Sequence, residues 1–506
     1  MGARQYSALV MHRFRGVGGG LAAAAALLAP LLGAAQRSPE LPPPSSVAFA
    51  SSSAALDAAW AFAVPMAMSY RQTDAQPNYI PSYWAGLLDR PAFYARDLAH
   101  QALGAHVLGL DEENLSMLRV IAASATAAPA RLSFPLWSFD FSGAIYPLDY
   151  RSDTDYVRET PTPFDLLVAA SRLHSWTADD AYRDDPALWR AHTAWAVGDF
   201  VPLHDPLNES IAGQAAPSGN IFAGAASYVE NGEGLVVAAD SLAKQAAALE
   251  AYSAWQAQLG NASGAASTLA AAAKLKFIFN GAWFSESLGY GRGITGKGMQ
   301  YGYLETQSVF PGTSYLVEAP GTRADAHIAM VIAEAAGSGT ELRTYVPELL
   351  FLYGYADAAA DYIAQLLADP RNTYPEVSFT LVADLAVHLV GLAPEASPGS
   401  APRLTTMGLA LPRNVSFATA SHVPVCGRAV TVTQRVGAAA DSASTEVLLE
   451  SGPPISWEAR FRGSSPQLLV NGASVEAVMG VTRAGLAFSS ATVQLAAGES
   501  VLVALP

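Results

Sequence analysis

The sequence predicts a large, mainly helical domain followed by a small all-β domain. From Ala54 to about Leu392, apolar residues recur at three- and four-residue spacing in one segment after another. Beyond the hinge "APEASPGSAPRLTTMG" they alternate with period two in short runs bounded by turn residues. A composition of 51% apolar and 14% charged residues over 506 positions supplies a large core and argues against disorder.

The N-terminus comes first. Residues 1–36 carry Arg4, Arg13 and Arg15, then a Gly/Ala/Leu run, then small residues near Ala34. That is the layout of a cleaved secretory signal peptide, with a signal anchor as the competing reading. "SPELPPPSS" makes 37–53 a linker. Asn-X-Ser sequons begin at Asn114, Asn208, Asn261 and Asn414. They suit a secreted protein, although Asn114 falls within a helical pattern. The helical domain is expected over 54–395. It runs from "SSSAALDAAWAFAVPMAM" through "PALWRAHTAWAVGDFV" and "EGLVVAADSLAKQAAALEAYSAWQAQLG" to "EVSFTLVADLAVHLVGL". From "AVTVTQRV" to "SVLVALP" the short strands read as a β-sandwich over 404–506.

Several functions are excluded at this level. The net charge is −15, and Lys and Arg form no block beyond the N-terminus, so a nucleic-acid footprint is missing. No stable membrane association is expected after signal cleavage. There is no His-Glu-X-X-His and no cysteine cluster, Cys426 being the single cysteine, so no metal and no cofactor is expected. Calcium held by loop carboxylates stays open. "GRGITGKGMQ" fails as a phosphate loop because Gly follows Lys297, so no nucleotide site is expected.

Four stretches could carry chemistry. In "YARDLAHQALGAHVLGL", Asp97, His100, Gln101 and Gly104 fall on one face of an otherwise apolar helix, with Arg96 beside them. Either that face lines a wet site or it is a buried polar brace. Residues 135–167 mix Asp140, Asp149, Asp153, Asp155, Glu159 and Asp165 with Arg158, Trp137 and, up to Tyr156, five further aromatics. Aromatic rings stack on sugar faces, while carboxylates and guanidinium groups bond hydroxyl edges. "GAASYVENGEG" presents Tyr228, Glu230 and Glu233 at a loop-to-helix junction. Glu305 lies between Tyr303 and Gln307, and Glu376 follows Tyr374 and Pro375 at the start of the last helix. A first-turn Glu can also serve only the helix dipole.

The stretches "YARDLAHQALGAHVLGLDEEN", "LWSFDFSGAIYPLDY", "DYVRETPTPFDLL", "ASYVENGEG", "YLETQSVFPGTSYLV" and "YPEVSFTLVADLAVHLVGL" occur in the order expected of one family. Through them the chain resembles the six-hairpin glycosidases, and more narrowly secreted exo-β-glucuronidase-like members. The resemblance covers about residues 78–395. It implies an (α/α)6 toroid followed by a β-sandwich, and a secreted, exo-acting hydrolase of oligo- or polysaccharides. It also implies a two-carboxylate, inverting mechanism without a cofactor. Glu376 is then expected as general base. Glu230 is the first choice for the acid and Glu159 the second, with Asp140 and Asp155 as further candidates. Arg96, Asp97, His100, Gln101, Trp137, Arg158, Tyr228, Glu305 and Tyr374 are expected to bind substrate. The alternatives are a polysaccharide lyase on the same fold, using His100 or Tyr228 as base, and a catalytically inactive carbohydrate-binding protein.

Overall fold

Local signals start the helices. α1 (Ala54–Ser69) begins after Ser53, whose hydroxyl accepts from the Leu56 N–H. In the computed structural model, which describes residues 46–214, 226–229, 234–395, 402–408, 411–436 and 442–506, eleven further helices follow. These are α2 (Ala95–Val107), α3 (Asp111–Ala127), α4 (Pro161–Thr177), α5 (Pro186–Ala196), α6 (Ala239–Gln258) and α7 (Ala262–Gly281). Then come α8 (Glu305–Thr313), α9 (Thr322–Glu334), α10 (Val346–Leu352), α11 (Ala356–Ala368) and α12 (Pro375–Ala383). Proline opens the first turn of α4, α5, α10 and α12, where its missing N–H costs nothing. Three one-turn helices lie between the longer ones, at Ala181–Asp184, Phe200–Leu203 and Thr340–Arg343.

The even-numbered helices close on themselves. α2 packs on α4, α4 on α6, α6 on α8, α8 on α10, α10 on the turn that extends α12, and α12 back on α2. Burial separates these from the odd-numbered helices. α6 is buried around most of its circumference, whereas α7 buries only the stripe Ala265, Thr268, Ala272, Leu275 and Phe279. Gly104 permits a close crossing of α2 and α12. A Cβ there would lie 1.9 Å from the Phe379 carbonyl oxygen of α12. The glycine in the polar stripe of α2 is therefore a packing device, and one turn above it α2 meets Glu376.

The β domain holds a seven-stranded and a five-stranded sheet. Its strands are β2 (Leu392–Glu395), β3 (Arg403–Gly408), β4 (Phe417–Val425), β5 (Arg428–Val436), β6 (Ala443–Ser451) and β7 (Ile455–Arg462). They continue with β8 (Gln467–Val470), β9 (Ala473–Glu476), β10 (Val478–Val481), β11 (Ala487–Leu495) and β12 (Ser500–Ala504). Two boundaries differ from the sequence reading. Residues 48–51, expected as linker, form β1 (Ala48–Ser51), which pairs antiparallel with β4 at the sheet edge. The alternation that buries Val47, Phe49 and Ser51 explains it, with Phe49 packing on Trp60. The β domain also starts at β2, before 404. Gly391, at φ 64°, turns the chain out of the last helix, and Met407 donates to its carbonyl (2.8 Å).

The β domain docks directly on the helices. Cys426 N–H donates to the Trp176 carbonyl (2.5 Å) and its Sγ–H to Ser175 O (3.2 Å), while His106 Nε2 lies 3.1 Å from the Pro424 carbonyl. Burial pushes the Cys426 thiol up to about 11, so it is a seam residue and a poor nucleophile. Among the sequons, Asn114 is fully buried, accepts from Tyr83 OH (2.7 Å) and donates to Ala102 O (3.0 Å), which removes it from any glycosylation. Among the described residues no helix is long and apolar enough to cross a membrane. The expected signal peptide lies outside them.

Candidate active site

The first turns of the ring helices bring their polar residues to one place. Arg96, Asp97 and His100 come from α2, Asp165 from α4, Asp240 and Lys244 from α6, and Thr306 and Gln307 from α8. Tyr345 precedes α10, and Glu376 is the second residue of α12. Helix N-termini carry partial positive charge, which favours the carboxylates gathered there.

Glu376 lies at the centre and is fully buried. Its Oε1 accepts from Tyr345 OH (3.0 Å) and lies 3.1 Å from His100 Nδ1. Its Oε2 has no hydrogen-bond partner among the described residues. Burial, with the charges of Asp97 and Glu341 behind it, holds the Glu376 carboxyl well above the usual range, against the pull of Arg96. His100 reaches Asp165 on its other side, with Nε2 3.1 Å from Oδ2 but out of line for a hydrogen bond. Burial lowers His100 from its ordinary value, against the pull of Asp165. Asp165 also accepts from Lys244 Nζ (2.7 Å) and Tyr228 OH (3.1 Å). Burial pushes its carboxyl up, but Lys244 and His100 outweigh that and hold it below the usual range.

Glu159 has different surroundings. It precedes α4, is buried, accepts from the Trp137 indole N–H (2.8 Å) and faces Arg96 Nη1 at 3.7 Å. Arg96 also donates to the Tyr228 carbonyl (3.2 Å) and pairs with Glu341. An indole N–H donates to Glu159 and a guanidinium charge lies within ion-pair distance, a setting that favours the ionised carboxylate. Asp97 accepts from Tyr374 OH (2.5 Å), and burial first, then Glu341, pushes it up to about 6. A second layer fixes Tyr228. Asp240 Oδ2 accepts from Ser227 Oγ (2.6 Å), the Tyr228 N–H (3.1 Å) and Thr306 Oγ1 (2.8 Å).

The structure thus joins Arg96, Asp97, His100, Trp137, Glu159, Tyr228, Tyr374 and Glu376. Gln101 is buried nearby on the same helix, with neither amide atom partnered among the described residues. Arg158 is buried with its guanidinium 5.4 Å from the Tyr156 ring centre. Glu305 is the exposed first residue of α8, at φ 42°. Glu230 lies outside the described residues. Asp140 and Asp155 find their partners within their own loop. Asp140 Oδ1 accepts from Ser142 N–H (2.8 Å), Ser142 Oγ (2.6 Å) and Ala144 N–H (3.1 Å), which closes a turn. Asp155 pairs with exposed Arg151 at 3.3 Å. Neither joins the cluster, because backbone and side-chain groups four residues or fewer away already hold them. Lys244, Tyr345 and Glu341 complete the site, although the sequence reading passed over them. The signal for Lys244 was a lone cation four residues after Asp240 in an alanine-rich helix.

No family model matches the sequence, and no curated protein matches it either. Solved structures do resemble it. The GH78 family rhamnosidase of Bacillus sp. GL1 superposes with a TM-score of 0.57 at 16% identity, over 78% of this chain and 41% of that one. The α-L-rhamnosidase from Dictyoglumus thermophilum gives 0.59 at 11% identity, over 91% and 50%. A human-microbiome protein assigned as a kojibiose phosphorylase gives 0.52 at 7%, over 90% and 68%. The chain spans half or less of the length of the two rhamnosidases. At these identities the likeness bears on the fold alone: the chain shares its fold with these proteins over most of its length.

Proposed function

We propose that this chain is a secreted glycoside hydrolase whose ring of even-numbered helices, paired with the odd-numbered ones, is a six-hairpin barrel. We read Glu376 and Glu159 as its two working carboxyls. One observation carries this. Two buried carboxyl groups in one cluster have different charge surroundings, Glu159 facing a guanidinium and Glu376 set among further carboxylates, which is what acid–base cleavage of a glycosidic bond requires. Glu376 has Oε1 engaged and Oε2 without a partner among the described residues, and its carboxyl is held well above the usual range. It is suited to protonate the departing glycosidic oxygen. Glu159, beside Arg96, is suited to take a proton from water attacking the opposite face, with inversion at the anomeric carbon. This exchanges the roles that the family resemblance implies for Glu376 and its partner.

Trp137 holds Glu159, and Tyr374 holds Asp97, so neither acidic group is free to drift. Exo action at a non-reducing end and a preference for uronic acids rest on the resemblance. The second has support in Arg96, whose partner Glu341 is about a third exposed and can give way to a sugar carboxylate. The lyase reading is weaker. Tyr228 donates to Asp165, and burial raises its phenol well above the ordinary value, which makes it a poor base.

The test is a panel of p-nitrophenyl glycosides, including β-glucuronide and α-rhamnoside, given to the purified chain. Release of nitrophenol from one of them supports the hydrolase and names its sugar. Silence there, with the absorbance of an unsaturated uronide appearing on uronate polysaccharides, replaces it with the lyase. Silence in both, with binding on a carbohydrate array, replaces it with a binding protein.

A further inference from the structure

Beneath the catalytic cluster the ring encloses a cavity of about 610 Å³. Its upper wall includes His100, Asp165, Lys244 and Tyr345, and its far end reaches Glu395, Arg460 and Arg483 of the β domain. The charges along it pair with one another. Arg172 Nη2 lies 3.0 Å from Glu348 Oε1, Lys244 Nζ 2.7 Å from Asp165 Oδ1, and Arg460 Nη1 2.7 Å from Glu395 Oε1, while Arg483 pairs with Glu250. A charged ligand would have to break one of these pairs and leave a buried charge behind, which is costly.

Asp384 does not fit that pattern. It lines the cavity, it is 1% exposed, and its Oδ2 has no hydrogen-bond partner among the described residues. It opens the π-helical turn Asp384–His388 that extends α12, and such wide turns recur at functional sites. Apolar walls from Trp176, Phe351 and Ala251 face hydroxyls from Ser171, Ser175 and Thr380. That combination suits a molecule with apolar faces and hydroxyl edges, and the volume lies within the range of ligand cavities, about 300–1,000 Å³.

We propose that this cavity is a second ligand site, for a neutral polyhydroxylated molecule of monosaccharide size, anchored by Asp384 and divided from Glu376 and Glu159 by the wall of His100, Asp165, Lys244 and Tyr345 that it shares with the catalytic cluster. Burial, with Glu348 nearby, holds the Asp384 carboxyl well above the usual range, which favours the form able to donate as well as accept at a hydroxyl pair. The site needs no assignment of the catalytic pair and would exist in an inactive protein.

Isothermal titration of the full chain with D-glucose, L-rhamnose and D-galactose tests it. At least one sugar is expected to bind with an equivalent that disappears in both Asp384→Leu and Ala251→Phe. Ala251 lies on α6, two turns below Lys244, so a ring there fills the cavity without touching Glu376 or Glu159. Circular dichroism and thermal melting confirm that both variants are folded. Absence of binding by all three sugars overturns the proposal. So does an equivalent that survives in either folded variant.

Discussion

His100 Nδ1 lies 3.1 Å from Glu376 Oε1, across 276 residues of sequence. α2 and α12 are the first and last helices of the inner ring, so this contact forms where the ring closes. The crossing is as close as it is because Gly104, one turn below His100, meets Phe379, one turn below Glu376. Packing at the glycine and chemistry at the histidine are therefore linked.

Gly104→Ala tests that link. A methyl group 1.9 Å from a carbonyl oxygen forces α2 and α12 apart. Overpacking of this kind costs typically 1–3 kcal/mol. Chemical denaturation should show a loss in that range, and turnover should fall further than the stability loss explains. Wild-type stability and turnover would show that the crossing has slack.

The buried ion pair Lys244–Asp165 gives a double-mutant cycle. Lys244→Met leaves Asp165 charged and uncompensated, at a cost of about 3–5 kcal/mol. Adding Asp165→Asn should recover much of it. Because Asp165 titrates below the ordinary carboxylate range in the folded state, its contribution is present at neutral pH and is lost on acidification. The stability advantage of the wild type over the double variant should therefore narrow as pH falls. Strict additivity of the two substitutions would remove the coupling.

Glu341→Gln should shift the pH dependence of activity. The Glu341 charge raises both Glu376 and Asp97. Without it both groups release their protons at lower pH. If Glu376 acts as the acid, activity is lost as pH rises through its ionisation, so the alkaline limb should move to lower pH in the variant. An alkaline limb that stays in place, or moves upward, would contradict the assignment.

Much of this site was legible because its residues break a pattern. Asp97 and His100 interrupt an apolar helix, and Glu376 follows Tyr374-Pro375 at a helix start. Both are local signals. Asp140 and Asp155 stood as further candidates because loop carboxylates that cap a turn or pair with a neighbour have the same composition as catalytic ones. The spacing Asp140-Phe141-Ser142 was itself a turn signal. Tyr345 and Glu341 were not legible, since their roles come from Glu376 and Arg96, which are distant in sequence. β1 escaped notice because its partner strand lies more than 350 residues away.

The most direct test of the central claim compares Glu376→Gln and Glu159→Gln with the wild type on aryl glycosides of one sugar, from poor to good leaving groups. A general acid is dispensable when the leaving group needs no proton, whereas a base is needed throughout. The account predicts that Glu376→Gln loses at least about a hundredfold in kcat on a poor leaving group and recovers most of it on dinitrophenyl, while Glu159→Gln stays slow on both. The reverse pattern would exchange the two roles, and near-normal turnover in either variant would remove that residue from the catalytic pair.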